Sequence, residues 1–354
     1  VAGMSFSSFE NLQGGSLADA FALSDGAQIS GLIDGSGGSD TLDLSAWTTA
    51  VSIDLAAATA TGSGSISDLE FFLGGAAANT VTAADINNTW TITGADQGTL
   101  NALNFSSFGS LVGGSATDSF VFDPAGSLSG SIEGGSGANA IEGRDSNTTW
   151  VLSGAGAGSN TYIASGFTEI DSITAGDADD DFTIDPTGSL SGSLDLGGGA
   201  DTLSYAAWGT AVSIDLSGSA ATALGSLTNA EHFVGGVAAD TLTGGNALNT
   251  WTVTATDTGE LNTLTFVGFE HLVGGNNTDT FDLSADTVSG SINGAGGNDS
   301  IIGPDVDTTW TITGPDTGSM AGLVFDGIEN LTSGSGNDTI TLSDGASLSG
   351  VLDT

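Results

Sequence analysis

A period of about twenty residues constrains this chain more than any other feature. The motif Gly-Gly-x-x-x-Asx-x-apolar, degenerate in several copies, places its Asx at Asp19, Asp40, Asn79, Asp118, Asn139, Asp180, Asp201, Asp240, Asp279, Asp299 and Asp338. Successive gaps are 21, 39, 39, 21, 41, 21, 39, 39, 20 and 39 residues, each close to one or two steps of twenty. A longer repeat overlies the short one. Ala-Val-Ser-Ile-Asp-Leu at 50–55 returns at 211–216, and Trp90 returns as Trp251, both at an offset of 161. The chain therefore reads as two long copies, about 1–161 and 162–320, and a partial third, 321–354, with eight steps expected in each full copy. A unit this short cannot bury a core alone, so it must stack on its neighbours.

The local pattern indicates how one step is built. Each Asx is followed by a brief alternation such as Phe21 and Leu23, Leu42 and Leu44, Phe120 and Phe122, Phe182 and Ile184, Phe281 and Leu283, or Ile340 and Leu342. Alternation at period two puts these side chains on one face of a strand. Turn formers follow, as in Asp25-Gly26, Pro124-Ala125-Gly126, Pro186-Thr187-Gly188 and Asp344-Gly345, then a second strand such as Ser-Leu-Ser-Gly-Ser-Ile at 127–132. The predicted fold is all-β: one continuous parallel β-solenoid over 1–354, β-helix-like or β-roll-like, with about 20 residues per rung and about 18 rungs. Trp residues are expected as packing residues or surface platforms, not cofactor contacts.

Charge narrows the partners. Asp plus Glu number 43 against a single cation, Arg144, for a formal charge of −42. Internal ion pairs cannot neutralise these carboxylates, so solvent cations must. The basic patches that bind nucleic acid or anionic lipid are missing, and neither partner is expected. No stretch of roughly 18 apolar residues is available to cross a bilayer, and membrane insertion is not expected. There is no Cys and no visible signal peptide. Both ends stop within a motif, which leads to the expectation of a piece of a longer protein over a chain whose uncapped ends join into filaments.

At its Gly-Asx corners the chain resembles the RTX (repeats-in-toxin) calcium-binding repeats. Over nearly its whole length it resembles the Gly-rich β-strand repeats of giant bacterial surface adhesins. The residues carrying this are Gly35-Ser36-Gly37-Gly38-Ser39-Asp40-Thr41-Leu42, Gly197-Gly198-Gly199-Ala200-Asp201-Thr202-Leu203, Gly294-Ala295-Gly296-Gly297-Asn298-Asp299 and Gly334-Ser335-Gly336-Asn337-Asp338-Thr339-Ile340. The resemblance implies calcium held between half-sites of successive turns. Calcium takes six to eight oxygens, and a Gly-rich turn exposes carbonyls that supply some of them. Candidate ligands are Asp19, Asp40, Asp177, Asp179, Asp180, Asp201, Asp279, Asp299 and Asp338. Asp19 with Asp40, Asp180 with Asp201, and Asp279 with Asp299 fall one step apart, and Asp177, Asp179, Asp180 and Asp181 form the densest cluster. The alternative is that each Asx caps its own turn through side-chain to backbone hydrogen bonds.

No enzyme is expected. There is no Lys to serve as a lyase base, and no His-Glu-x-x-His, Cys-x-x-Cys or phosphate-loop pattern. No carboxylate pair stands out for glycoside hydrolysis. His232 and His271 occur where the first long copy has Phe71 and Ser110, which marks them as strand-end substitutions. The Thr-x-Thr segments at 89–93 and 309–313 recur too rarely for an ice-binding ladder. The expected role is a structural or adhesive shaft, extracellular or at a cell surface, with calcium and possible further copies of itself as partners. The alternative is a glycan- or surface-binding module of a large adhesin.

Overall fold

The computed structural model describes residues 9–354, and they contain strands, turns and no helix. The fold is an all-β solenoid of mostly parallel strands. Its contacts group into two compact units, one running to Asp177 with Ser189–Gly192, the other comprising Ala178–Gly188 and Ser193–Thr354.

In the first unit the chain alternates between two sheets. Ala20–Ala22, Thr41–Asp43 and Phe71–Leu73 pair in parallel in one sheet, and Leu12–Gln13 and Ile29–Asp34 pair in the other. In-register residues form apolar columns: Leu42 lies opposite Phe72, which lies opposite Phe105. Leu111 likewise sits between Val81 and Ile132. All six of these residues are buried. The second unit repeats the scheme, with Leu203 opposite Phe233 and Leu242 opposite Leu272 and then Ile292.

Three antiparallel meanders interrupt the coil in each unit, and the twenty-residue period does not anticipate them. In the first, Ser52–Asp54 turns back as Thr59–Ala60 and forward again as Ser63–Ser67. The third strand pairs with the preceding coil, Ile66 against Ile33, whereas the first pairs with the following one, Ile53 against Val81. One sheet thereby gains two strands at a spacing of about 4.8 Å each. The next meander, within 88–106, falls on the other sheet, and the third, within 149–168, returns to the first sheet. Alternation keeps the two faces growing together. The second unit does the same at 213–228, 249–267 and 309–326.

Meanders change the meaning of the spacing. Parallel partners are 20 or 21 residues apart where the coil is uninterrupted, as for Phe281 and Ile301, and 28 to 35 apart across a meander. A 39-residue gap is therefore not two coils. Asn79 precedes Thr80–Thr82 in one sheet and Asp118 opens Asp118–Phe122 in the other, so the two are not in one column. The expected eight equal steps per long copy give way to fewer coils plus three meanders.

Four of the Trp residues are the meanders' own core. Trp90, Trp150, Trp251 and Trp310 are at most 1% exposed. Trp90 stacks on Phe120 at 5.7 Å and 11° and meets Phe105 edge-on at 5.7 Å; Trp251 repeats this with Phe281 at 5.7 Å and Phe266 at 5.9 Å. The ring thus joins the third meander strand to the next coil.

Candidate functional site

The corner Asx side chains are organised into ladders. The backbone N–H of Asp19 donates to Asp40 Oδ1 at 2.7 Å, and that of Asp40 to Glu70 Oε2 at 2.7 Å. A second ladder runs from Asn88 to Asp118 to Asn139 to Asp171, at 3.0, 3.0 and 2.9 Å. In the second unit Asp180 N–H reaches Asp201 Oδ1 at 2.7 Å, and Asp201 N–H reaches Glu231 Oε2 at 3.0 Å. Asn249, Asp279, Asp299 and Glu329 continue the pattern at 2.9, 2.7 and 2.6 Å. Each side chain therefore satisfies the amide of the equivalent corner one coil back. Capping within the same turn also occurs, from Gly15 N–H to Asp19 Oδ2 at 2.6 Å and from Gly236 N–H to Asp240 Oδ2.

The ladders end on residues that the Gly-Asx motif did not reveal. After each meander comes a residue with positive φ: Asp68 at 48°, Ser107 at 65°, Glu169 at 58°, Asn229 at 57°, Gly268 at 74° and Gly327 at 63°. A buried apolar residue follows (Leu69, Phe108, Ile170, Ala230, Phe269 or Ile328), and then Glu70, Gly109, Asp171, Glu231, Glu270 or Glu329. The readable signal is apolar-Glu-x-apolar-x-Gly-Gly, present in 69–75, 230–236 and 269–275.

Asn and Asp corners differ in one decisive respect. Where the corner is Asn, its Nδ2 donates to a main-chain carbonyl of the next coil: Asn79 to Ser107 O at 2.6 Å, Asn139 to Glu169 O at 3.2 Å, Asn249 to Gly274 O at 3.0 Å. Where it is Asp, the same place holds Oδ2, an acceptor. A Cβ placed on Gly35 would lie within 3 Å of both Asp40 Oδ2 and Asp68 O, and one on Gly294 would do the same with Asp299 Oδ2 and Gly327 O. This is why the first Gly of the motif carries no side chain. The Oδ2 atoms of Asp40, Asp118, Asp201, Asp279 and Asp299 are buried and accept no hydrogen bond. Burial raises the pKa of Asp118 and Asp279 above the ordinary carboxylate value, and pushes those of Asp201 and Asp299 up to about 6.

The candidate metal ligands thus fall into distinct settings. Asp40, Asp180, Asp201, Asp279 and Asp299 are buried ladder members, and Asp19 and Asp338 are half-buried ones. Asp338 accepts from Thr308 N–H at 3.0 Å and from the Ser333 hydroxyl at 2.7 Å. Asp177 and Asp179 are exposed; Asp177 N–H donates to Asp145 Oδ1 at 3.2 Å, and Asp179 Oδ1 accepts from Ala200 N–H at 2.9 Å. Among the described residues no group of three or more His, Asp or Glu converges as a metal cage. At Asp40, Asp279 and Asp299 a carboxylate Oδ2 without a donor stands near a main-chain oxygen, which supplies two of the six to eight oxygens that calcium takes. A bound cation or a proton would relieve either arrangement.

His232 Nδ1 lies 2.6 Å from Thr265 Oγ1, and His271 Nδ1 lies 2.8 Å from Ser291 Oγ, each beside its neighbour on a strand. Arg144 stands 4.3 Å over the Tyr162 ring and donates to Gly126 O at 3.3 Å. No protein-family model matches this chain, and no curated protein sequence does.

Proposed function

We propose that this chain is a structural or adhesive shaft of an extracellular bacterial surface protein or filament, with no catalytic role, and that calcium stabilises it. The observation that supports this best is the ladder. The side chains of Asp40, Asp118, Asn139, Asp201, Asp279, Asp299 and Asp338 each accept an amide N–H of an adjacent coil, so these conspicuous corners serve coil-to-coil cohesion. Calcium would be held by Asp40, Asp279 and Asp299 through Oδ2 together with the facing carbonyls. Adding about 1 mM calcium, in the range extracellular modules use, to chelator-treated chain is expected to raise its melting temperature. A melt that does not respond removes calcium from this reading.

A shaft also has to resist proteolysis. Trypsin has one target, the bond after Arg144, and that side chain is engaged with Tyr162 and Gly126. The native chain is expected to survive trypsin intact, and the denatured chain to give two fragments. Cleavage of the native chain as fast as of the denatured one would show that this corner opens freely.

Glycan or surface binding is the second reading. It is favoured by outward columns that present hydroxyls and imidazoles side by side, namely Thr202, His232 and Thr265, and Thr241, His271 and Ser291. A glycan array separates the two readings: a shaft gives no hits, and a lectin gives a related set of them.

A further inference from the structure

Two cavities at repeat-equivalent positions combine an apolar floor with two acids, one of them a Glu fixed by the ladder. The first, of about 330 Å³, is lined by Leu55, Ile66, Phe72 and Leu103 and by the acids Glu70 and Asp68. The second, of about 320 Å³, is lined by Leu216, Leu227, Phe233 and Leu264 and by the acids Glu231 and Asp215, the four apolar residues and the Glu matching those of the first. Each of these five matching residues is 161 positions from its counterpart in the other cavity. Both cavities form where the first turn of a short meander meets the positive-φ turn that follows the meander. Their volumes fall at the small end of ligand sites.

The carboxylates are held in place from one side. Glu70 Oε2 accepts the Asp40 N–H at 2.7 Å and Glu231 Oε2 the Asp201 N–H at 3.0 Å, which leaves Oε1 of each for another donor. A third cavity, beside Asp171, differs on this point. Both Asp171 oxygens are already taken, by Asn139 N–H and by the Ser191 hydroxyl. The chain has no Lys to supply a cation, and Arg144 is engaged elsewhere. This combination of two carboxylates with apolar walls, with no third acid converging among the described residues, offers fewer oxygens than the six to eight that calcium takes. It matches a primary ammonium on an aliphatic stem, with methylenes on the floor and the charge at the rim.

We infer that these two cavities bind lysine side chains of a basic protein partner. The long-range field of a chain carrying a formal charge of −42 draws such a partner in, and each cavity holds one side chain.

The test uses Nα-acetyl-lysine N-methylamide as the probe and its Nε-acetylated form as the neutral control, at about 0.15 M salt to screen diffuse attraction. Methyl NMR signals of Ile66 and Leu227 are expected to shift saturably with the charged probe and not with the neutral one. In the Glu70→Gln/Glu231→Gln double variant, which keeps an acceptor for the ladder N–H, affinity is expected to fall about tenfold. An Asp123→Asn/Asp344→Asn variant removes the same two charges from exposed acids and is expected to bind as the parent does. Equal losses in both variants, or shifts spread evenly over the surface, would overturn the assignment. If the Glu variant does not fold, intermolecular NOEs from the lysine methylenes to Ile66 and Leu227, read on the parent chain, decide it: their presence supports the site and their absence at saturation overturns it.

Discussion

Asp299→Asn is expected to stabilise the chain at neutral pH, and Asp299→Ala to destabilise it. The carboxylate of Asp299 is fully buried; its Oδ1 accepts the Asp279 N–H, and its Oδ2 faces Gly327 O without a donor. An amide keeps the first bond and places an N–H where Asn79, Asn139 and Asn249 already have one. Relieving a buried unsatisfied oxygen contributes about 1–3 kcal/mol, and deleting the acceptor of a buried N–H costs a similar amount. Chemical denaturation at pH 7 of the parent and both variants checks this. If Asn is as damaging as Ala, the donor-free reading of the Asp corners is wrong.

Acidification is expected to stabilise the folded chain, in contrast to most proteins whose carboxylates are salt-bridged. Asp201 and Asp299 have folded-state pKa values raised from 3.8 to about 6, chiefly by burial, so the folded chain holds protons that the unfolded chain releases. Asp179 and Glu231 add to the rise at Asp201 while His232 opposes it; Asp279 and Glu329 add to it at Asp299. The sign follows from linkage. This stability is fully present below about pH 3.8 and is lost as pH rises through about 6. Relief of self-repulsion among 43 acids acts in the same direction, so the parent's slope alone does not identify the sites. The Asp201→Asn/Asp299→Asn variant does: between pH 4 and 6 its stability is expected to change less than the parent's, by about 1–3 kcal/mol per site. Identical slopes would place the pH dependence elsewhere.

The solenoid was legible because its period and its alternation are both local. Leu42 and Leu44, Phe120 and Phe122, and Phe281 and Leu283 point inward as their spacing indicates. Leu342 stands in register with buried Ile312 on the same face but is 55% exposed. The meanders were hidden because their extra strands bring the Asx gap to 39, close enough to two coils to pass for them. Four of the six carry a signature, Trp-x-apolar followed by a turn residue with positive φ: Gly156 at 150–156, and the acids Asp96, Asp257 and Asp316 at 90–96, 251–257 and 310–316. Those three acids also explain the recurrent Ser-Gly at 129–130, 289–290 and 349–350, since Asp96 accepts from Ser129, Asp257 from Ser289 and Asp316 from Ser349. The corner acids were found by spacing, but their direction was not. Residue type alone does not show that an Asx reaches back to the amide of the preceding coil, or that Asp and Asn at equivalent corners offer opposite hydrogen-bonding groups to the same carbonyl.

Carbon-13 NMR titration of the Asp carboxyl groups, in calcium-free buffer, tests the buried corner ladder most directly. Asp201 and Asp299 are expected to titrate near pH 6, well apart from the exposed acids. Titration of both at about 3.8 to 3.9, the value of a solvated Asp, would mean that these corners are open to water and that the ladder does not hold the coils together.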